Sequence, residues 1–145
     1  MDSEPLYVVV PAYREAGVIA GTVAGLLSVC PNVVVVDDGS VDRTADNACA
    51  AGAVVVRHPV NLGQGAALQT GIVYALEQGA RFIATFDADG QHRPQDIAAM
   101  LATLKVESLD IVLGSRFLGE AEHLPSARRM VLKAAVLFTR LTTGL

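Results

Sequence analysis

The sequence predicts an α/β protein with an open, mostly parallel sheet and flanking helices. Short apolar runs, most of them rich in valine, are continuous rather than alternating, which is typical of strands covered on both faces. Segments with helical spacing lie between them, and alternating strands and helices favour a parallel sheet. The runs cover residues 6–10, 33–36, 54–56, 82–86 and 111–113.

The helices are predicted from apolar residues that recur every three or four positions. The stripes consist of Ile19, Val23, Leu26, Leu27 and Cys30, then Leu68, Ile72, Ala75 and Leu76, then Ile97, Met100, Leu101 and Leu104. Gly52 and Gly79 follow helices as C′ glycines do, and Pro94 suits a first helical turn. With no internal repeat or linker, we expect a single domain over residues 1–145.

Composition restricts the function classes. The chain is 52% hydrophobic, with 18% charged residues and a net charge of -4, so no strongly basic face for nucleic acid is expected. The N-terminus has no signal-peptide pattern, and no apolar stretch is long enough to span a bilayer. We therefore expect a cytoplasmic protein, or one peripheral on the inner face of the membrane. Cys30 and Cys49 are expected to be buried free thiols, not a disulfide or zinc site.

Polar residues follow every predicted strand, at the edge where open α/β sheets bind ligands. Asp87 and Asp89 follow the fourth strand, where two carboxylates have no use in packing. Hard oxygen ligands suit Mg²⁺ or Mn²⁺ bound to a diphosphate, and Gln91 could complete the set of ligands. Arg116 follows the fifth strand and could bind diphosphate in a bidentate manner, or form a surface ion pair.

A nucleoside site is predicted after the first two strands. Tyr13 could stack on a base and Glu15 could bond base or ribose, although both could also belong to a solvated loop. Asp38 could accept a base N–H, with Asp37 bracing the loop. Ser40 or Asp42 is expected to cap the next helix.

The segment over residues 63–67 has two readings of equal weight: a phosphate-binding loop at a helix N-terminus, or small residues that permit close packing. His92 could act in catalysis or cap a helix, whereas His58 and His123 are read as loop residues. The tail over 126–141 is expected to be a basic amphipathic helix. Its residues 128–141 could contact a membrane surface, or pack as an ordinary helix.

Five motifs in one order resemble the family 2 glycosyltransferases of GT-A fold, a Rossmann-like three-layer sandwich. They begin at Val10, Val36, Asn61, Asp87 and Gly114. The branch that the chain resembles most transfers sugars to dolichyl or polyprenyl phosphate. The match covers residues 6–118, and more loosely extends to 145.

The resemblance implies a metal-dependent, inverting transferase. Its donor would be a GDP- or UDP-sugar, its cofactor Mg²⁺ or Mn²⁺, and its acceptor a polyprenyl phosphate. Asp89 and Arg116 would be catalytic, and Asp87, Asp89 and Gln91 would hold the metal. The nucleotide-binding positions would be Pro11, Tyr13, Glu15, Val36, Asp38, Asp87 and Ala88.

Departures from the family pattern leave alternatives open. Arg14 stands where the family often has Asn, and Gln64 where it often has Lys. The family continues beyond Leu145, so we expect a C-terminal truncation and consider an inactive nucleotide-binding module. A saccharide acceptor and a homodimer also stay open. A nucleotidyltransferase is disfavoured because the first strand is not followed by a glycine-rich loop.

Overall fold

The computed structural model describes residues 5–90 and 93–114, which contain four strands and four helices. The strands are β1 (Leu6–Ala12), β2 (Val33–Asp37), β3 (Val54–Arg57) and β4 (Phe82–Thr85). The helices are α1 (Ile19–Leu27), α2 (Thr44–Ala50), α3 (Gln64–Glu77) and α4 (Gln95–Val106). The sheet order is β3-β2-β1-β4, and every pairing is parallel. The predicted fold class is confirmed.

The core lies on both faces of the sheet, as the continuous valine runs predicted. Val8 and Val10 of β1 pack with Ile19 and Val23 of α1 on one face. On the other face Val34 and Val36 of β2 pack with Ala67 of α3. Successive side chains of a strand point to opposite faces, so each strand contributes residues to both parts of the core. The described elements thus form three layers, with α3 alone against one face of the sheet.

Helix α3 contacts the sheet through its smallest residues, and of the predicted stripe only Ala75 is fully buried. Its buried residues are Ala67, Gly71 and Ala75, while Leu76 is 57% exposed. A Cβ added at Gly71 would overlap the side chain of Val9. The helix therefore lies too close to β1 for a large side chain, and apolar spacing could not reveal that distance.

Three further expectations are corrected. Residues 111–113 form no strand, and Ile111 and Leu113 are largely exposed. Apolar composition over three residues therefore does not suffice to predict a strand. Val54, in β3 at the edge of the sheet, is half exposed rather than covered. Cys30 is buried, but Cys49 is exposed; both are free thiols.

The chain divides into two units, Met1–Asp110 and Ile111–Leu145. All described helices and strands belong to the first unit, and only residues 111–114 of the second are described. A single domain over 1–145 stays a prediction. Among the described helices, none has the length and apolar character needed to cross a bilayer. The predicted tail helix over 126–141 lies outside the described residues.

Candidate functional site

The loops that follow β1, β2, β3 and β4 meet at the carboxyl edge of the sheet. Asp38 N donates to Ala12 O at 2.9 Å, and Arg14 N donates to Ser40 Oγ at 2.9 Å. Glu15 N donates to Thr44 Oγ1 at 2.9 Å. These bonds join the loop after β1 to the loop after β2, so the predicted nucleoside residues lie in one connected region.

One side of this region is formed by the Tyr13 ring and the Arg14 guanidinium. The Tyr13 ring is 39% exposed, and the Arg14 guanidinium lies 5.0 Å from its centroid. Arg14 has a φ of 59°, in the left-handed region that Asn and Gly adopt most readily. Arg14, which stands where the family often has Asn, is therefore less favourable than Asn for this backbone conformation. One face of Tyr13 is thus covered by a cation.

Asp37 braces the loop after β2, as predicted from the sequence. It is fully buried, its Oδ1 accepts from Ser40 N, and its Oδ2 lies 3.0 Å from Arg57 Nε. Arg57 also donates to Ser40 O at 2.7 Å. Asp42 accepts from Thr44 N at 3.1 Å and so caps the start of α2.

Asp38 is buried, and both of its carboxylate oxygens accept hydrogen bonds. Oδ1 lies 2.7 Å from His58 Nδ1 and accepts from Leu62 N at 2.9 Å, and Oδ2 accepts from Gly63 N at 2.7 Å. Burial alone would raise the pKa of Asp38, but the bonds from Leu62, His58 and Gly63 hold that pKa below its ordinary value. Asp38 therefore joins the loops after β2 and β3 as an ionised acceptor.

The other two predicted nucleoside residues lie within the sheet. Pro11 and Val36 are register partners on β1 and β2, and both are buried. The Val36 side chain packs with Val34 and Ala67 and has no exposed surface. These two residues shape the floor beneath the loops, and contact with a nucleoside stays a prediction for both.

The carboxylate pair lies in the turn that follows β4. Asp87 is half-buried, Asp89 is exposed, and Ala88 between them is buried. Thr22 of α1 donates its hydroxyl to Ala88 O at 3.0 Å, which fixes the turn against the helix. Gln64, the first residue of α3, donates to Asp87 Oδ1 at 3.3 Å. The N-terminus of α3 therefore lies beside the predicted metal motif.

The chemistry of this turn fits a hard divalent cation, because the two carboxylates, two positions apart, supply oxygen ligands only. Within residues 5–90 and 93–114, no group of three or more His, Cys, Asp or Glu could hold a metal. The pair would need further oxygen ligands, from a diphosphate or from Gln91. Gln91, His92 and Arg116 lie outside the described residues, so their predicted roles stay predictions.

A cleft of about 440 Å³ opens on the α1 side of the same turn. Gly17, Gly21 and Gly25 line its helix side, and Phe86 and Gly90 line the side of the carboxylate motif. A Cβ at Gly17 or Gly21 would meet no atom within 4 Å, so the glycines leave the cleft wide.

Sequence reasoning missed two residues of this region. His58 was read as a loop residue but is buried between Asp38 and Thr70. The register pairs Asp37 with Arg57, so counting one residue further would have placed His58 beside Asp38. No signal in the sequence pointed to Thr22, because its partner is a backbone carbonyl 66 positions away.

An open parallel sheet whose carboxyl-edge loops present paired acids fits the fold of nucleotide-sugar transferases. Residues 7–141 match the family described as "Glycosyl transferase family 2". The chain therefore belongs to glycosyltransferase family 2, which confirms the resemblance.

Curated relatives share this family. An uncharacterised protein of Methanocaldococcus jannaschii is 40% identical over 133 residues, covering 90% of this chain and 55% of the relative. A UDP-N-acetylglucosamine–dolichyl-phosphate N-acetylglucosaminyltransferase of Methanococcus voltae is 32% identical, covering 90% of this chain and 60% of the relative. An undecaprenyl-phosphate mannosyltransferase of Micrococcus luteus is 32% identical, with shares of 94% and 59%. The chain spans little more than half the length of these relatives.

Solved structures confirm the fold. Glucosyl-3-phosphoglycerate synthase from Mycobacterium tuberculosis, crystallised with Mn²⁺, UDP-glucose and phosphoglyceric acid, aligns with a TM-score of 0.60. The sequence identity is 24%, and the alignment covers 70% of this chain and 39% of that one. The same enzyme has also been crystallised with Mg²⁺ and UDP.

Proposed function

We propose that this chain is the donor-binding part of a metal-dependent, inverting glycosyltransferase. Its donor would be a GDP- or UDP-sugar, and its acceptor a polyprenyl or dolichyl phosphate. The observation that carries the proposal is the place of Asp87 and Asp89, at the carboxyl edge of a family 2 fold and beside the loops that bear Tyr13 and Asp38.

The nucleoside end of the donor is assigned to the loops after β1 and β2. Tyr13 offers an exposed aromatic face, and Glu15 lies beside it with its backbone held by Thr44. Within the described part of the chain, Asp38 Oδ2 accepts one hydrogen bond, from Gly63 N, and a carboxylate oxygen can accept a second, for example from a base N–H. Pro11 and Val36 form the floor.

The diphosphate end is assigned to residues 87–89. Asp87 and Asp89, with Gln91, would hold Mg²⁺ or Mn²⁺, and the structurally similar synthase was crystallised with Mn²⁺ and UDP-glucose and with Mg²⁺ and UDP. When bound, such a cation supplies Lewis-acid neutralisation of the charge that develops on the leaving diphosphate. Thr22 holds the turn through Ala88 O, and Arg116 is proposed to bind the same diphosphate.

The acceptor assignment rests on the relatives of Methanococcus voltae and Micrococcus luteus, whose names specify dolichyl and undecaprenyl phosphate. An acceptor phosphate is already ionised, so its oxygen can attack the anomeric carbon without a strong protein base. The new carbon–oxygen bond forms on the face opposite the breaking bond, and the nucleoside diphosphate leaves. Residues 128–141 are proposed to bring a peripheral, cytoplasmic protein to the membrane surface.

A second candidate is a nucleotide-binding module without transfer activity. The observation that favours it is the partial coverage of two relatives. Each alignment includes 90% of this chain, but only 55% of one relative and 60% of the other. A family 2 transferase with a saccharide acceptor is a further alternative for the same donor site.

A transfer assay beside a binding measurement separates these candidates. The chain is incubated with Mn²⁺, a radiolabelled UDP- or GDP-sugar and undecaprenyl phosphate, and the organic phase is counted. We expect labelled lipid from the wild type and none from Asp89→Ala. Binding without labelled lipid would support the module, and undiminished turnover in Asp89→Ala would remove the metal assignment.

A further inference from the structure

His58 lies at the end of β3, yet it is buried and its imidazole is hydrogen-bonded on both sides. Nδ1 lies 2.7 Å from Asp38 Oδ1, and Nε2 lies 2.9 Å from Thr70 Oγ1 on α3. The ring therefore bridges the loop after β2 and the helix that begins beside Asp87. Neither the family match nor the proposed chemistry assigns a role to this histidine.

The contacts determine where the imidazole carries a proton. An ionised carboxylate only accepts hydrogen bonds, so Nδ1 must be the donor to Asp38. Nε2 can accept from the Thr70 hydroxyl when the ring is neutral, or donate to it when the ring is charged. The bond to Asp38 thus forms in either charge state of His58.

Asp38 transmits this contact to the loop before α3. Its two oxygens accept from Leu62 N and Gly63 N, and Gly63 has a φ of 94° that is favourable only for glycine. The next residue, Gln64, donates to Asp87 Oδ1. A continuous series of contacts therefore leads from the buried imidazole to the carboxylate motif. Asp37 and Arg57, which flank Asp38 and His58, pair with each other instead.

We propose that His58 is a positioning residue for nucleotide-sugar binding, which acts by holding Asp38 and thereby fixing the backbone of Leu62 and Gly63 and the place of Gln64. The inference rests on the proposed function, since it assumes that the donor binds between Asp38 and Asp87. It adds a residue that touches neither the donor nor the reacting atoms.

Two amide variants separate the two contacts of the ring. In His58→Asn the side-chain amide nitrogen lies near the position of Nδ1 and can still donate to Asp38. In His58→Gln the side-chain amide lies near the position of Nε2, so it can reach Thr70 but not Asp38. Thr70→Val removes only the partner of Nε2. Circular dichroism and thermal melting establish that each variant is folded at the temperature of the titrations.

The affinity for UDP-glucose and for GDP-mannose, each with Mn²⁺, is measured by calorimetry on the full chain. We expect His58→Gln to weaken binding about tenfold, which corresponds to loss of one charged hydrogen bond. His58→Asn and Thr70→Val should stay within about threefold of the wild type, because both keep the donor to Asp38. Equal losses in the two amide variants, or no loss in His58→Gln, would overturn the proposal.

The pH dependence supplies a readout that a merely structural role would not change. Without the imidazole, burial raises the pKa of Asp38 with less to oppose it, so the carboxylate takes up a proton at higher pH. The ratio of wild-type to His58→Gln affinity should therefore grow as the pH is lowered. A constant ratio contradicts the route through Asp38.

If the wild type binds neither sugar nucleotide, the proposed function fails and this inference falls with it. If only the His58→Gln effect is missing, the proposed function stands.

Discussion

At the scale of single residues, Arg14 shows how the site imposes a backbone conformation that its own side chain does not favour. Its positive φ places it between Tyr13 and the Ser40 hydroxyl that accepts its N–H. A β-branched residue is disfavoured far more strongly than Asn in this region.

We expect Arg14→Val to lower the free energy of unfolding by about 1–2 kcal/mol, because a β-branched side chain crowds the backbone at this φ. Arg14→Asn should leave the free energy of unfolding at or above that of the wild type. Urea denaturation of the three proteins measures both values. Equal stabilities of the Val and Asn variants would show that the left-handed conformation is not kept in solution.

The roles of neighbouring acids illustrate what the sequence could predict at this scale. Two adjacent acids after a buried strand predicted a polar loop, and the bracing role of Asp37 is confirmed. Gly63 could not be predicted as a partner of Asp38, because it lies 25 positions away in the loop before α3. His58 could have been placed beside Asp38 only by counting the register of β2 and β3.

At the scale of elements, α3 connects the core to the site. Its buried row of small residues brings it against β1 and β2, and its first residue contacts Asp87. The sequence predicted the helix itself from its spacing. The predicted stripe was only partly right: Ala75 is buried, but large apolar residues were given more weight than Gly71, whose role depends on a distance between backbones.

Gly71→Ala and Gly65→Ala form a matched pair within α3. The first should cost about 1–3 kcal/mol of stability, since its Cβ overlaps Val9 and the helix must move. The second meets open space and should change stability by less than about 1 kcal/mol, in the stabilising direction. Thermal melting compares them, and a similar loss for both would contradict the close packing of α3.

The Thr22 hydroxyl of α1 holds the turn over residues 87–90. Thr22→Val keeps the shape of the side chain but leaves the carbonyl of Ala88 without this donor, so the turn loses one of the bonds that position the carboxylate pair. We expect about three- to tenfold weaker binding of UDP-glucose with Mn²⁺, measured by calorimetry. Thr22→Ser keeps the hydroxyl and serves as the control. Identical affinities of the two variants would remove Thr22 from the site.

At the scale of the whole molecule, four loops at one edge of the sheet are joined by side-chain and backbone hydrogen bonds. The order of strands and helices predicted this edge, because parallel strands end on the same side. Residues 111–113 show the limit of that reasoning, because a short apolar run does not by itself determine a strand.

The central claim is that Asp87 and Asp89 bind a nucleotide sugar through a divalent cation. The most direct measurement is a calorimetric titration of UDP-glucose and GDP-mannose into the chain, with Mn²⁺ and again with EDTA. It is repeated with Asp89→Asn, and with Asp46→Asn, which removes an exposed charge on α2, as control. We predict that at least one sugar nucleotide binds to the wild type and to Asp46→Asn, and that EDTA or Asp89→Asn weakens binding about tenfold or more. Binding that is the same with EDTA and in Asp89→Asn, or no binding of either compound, would contradict the claim.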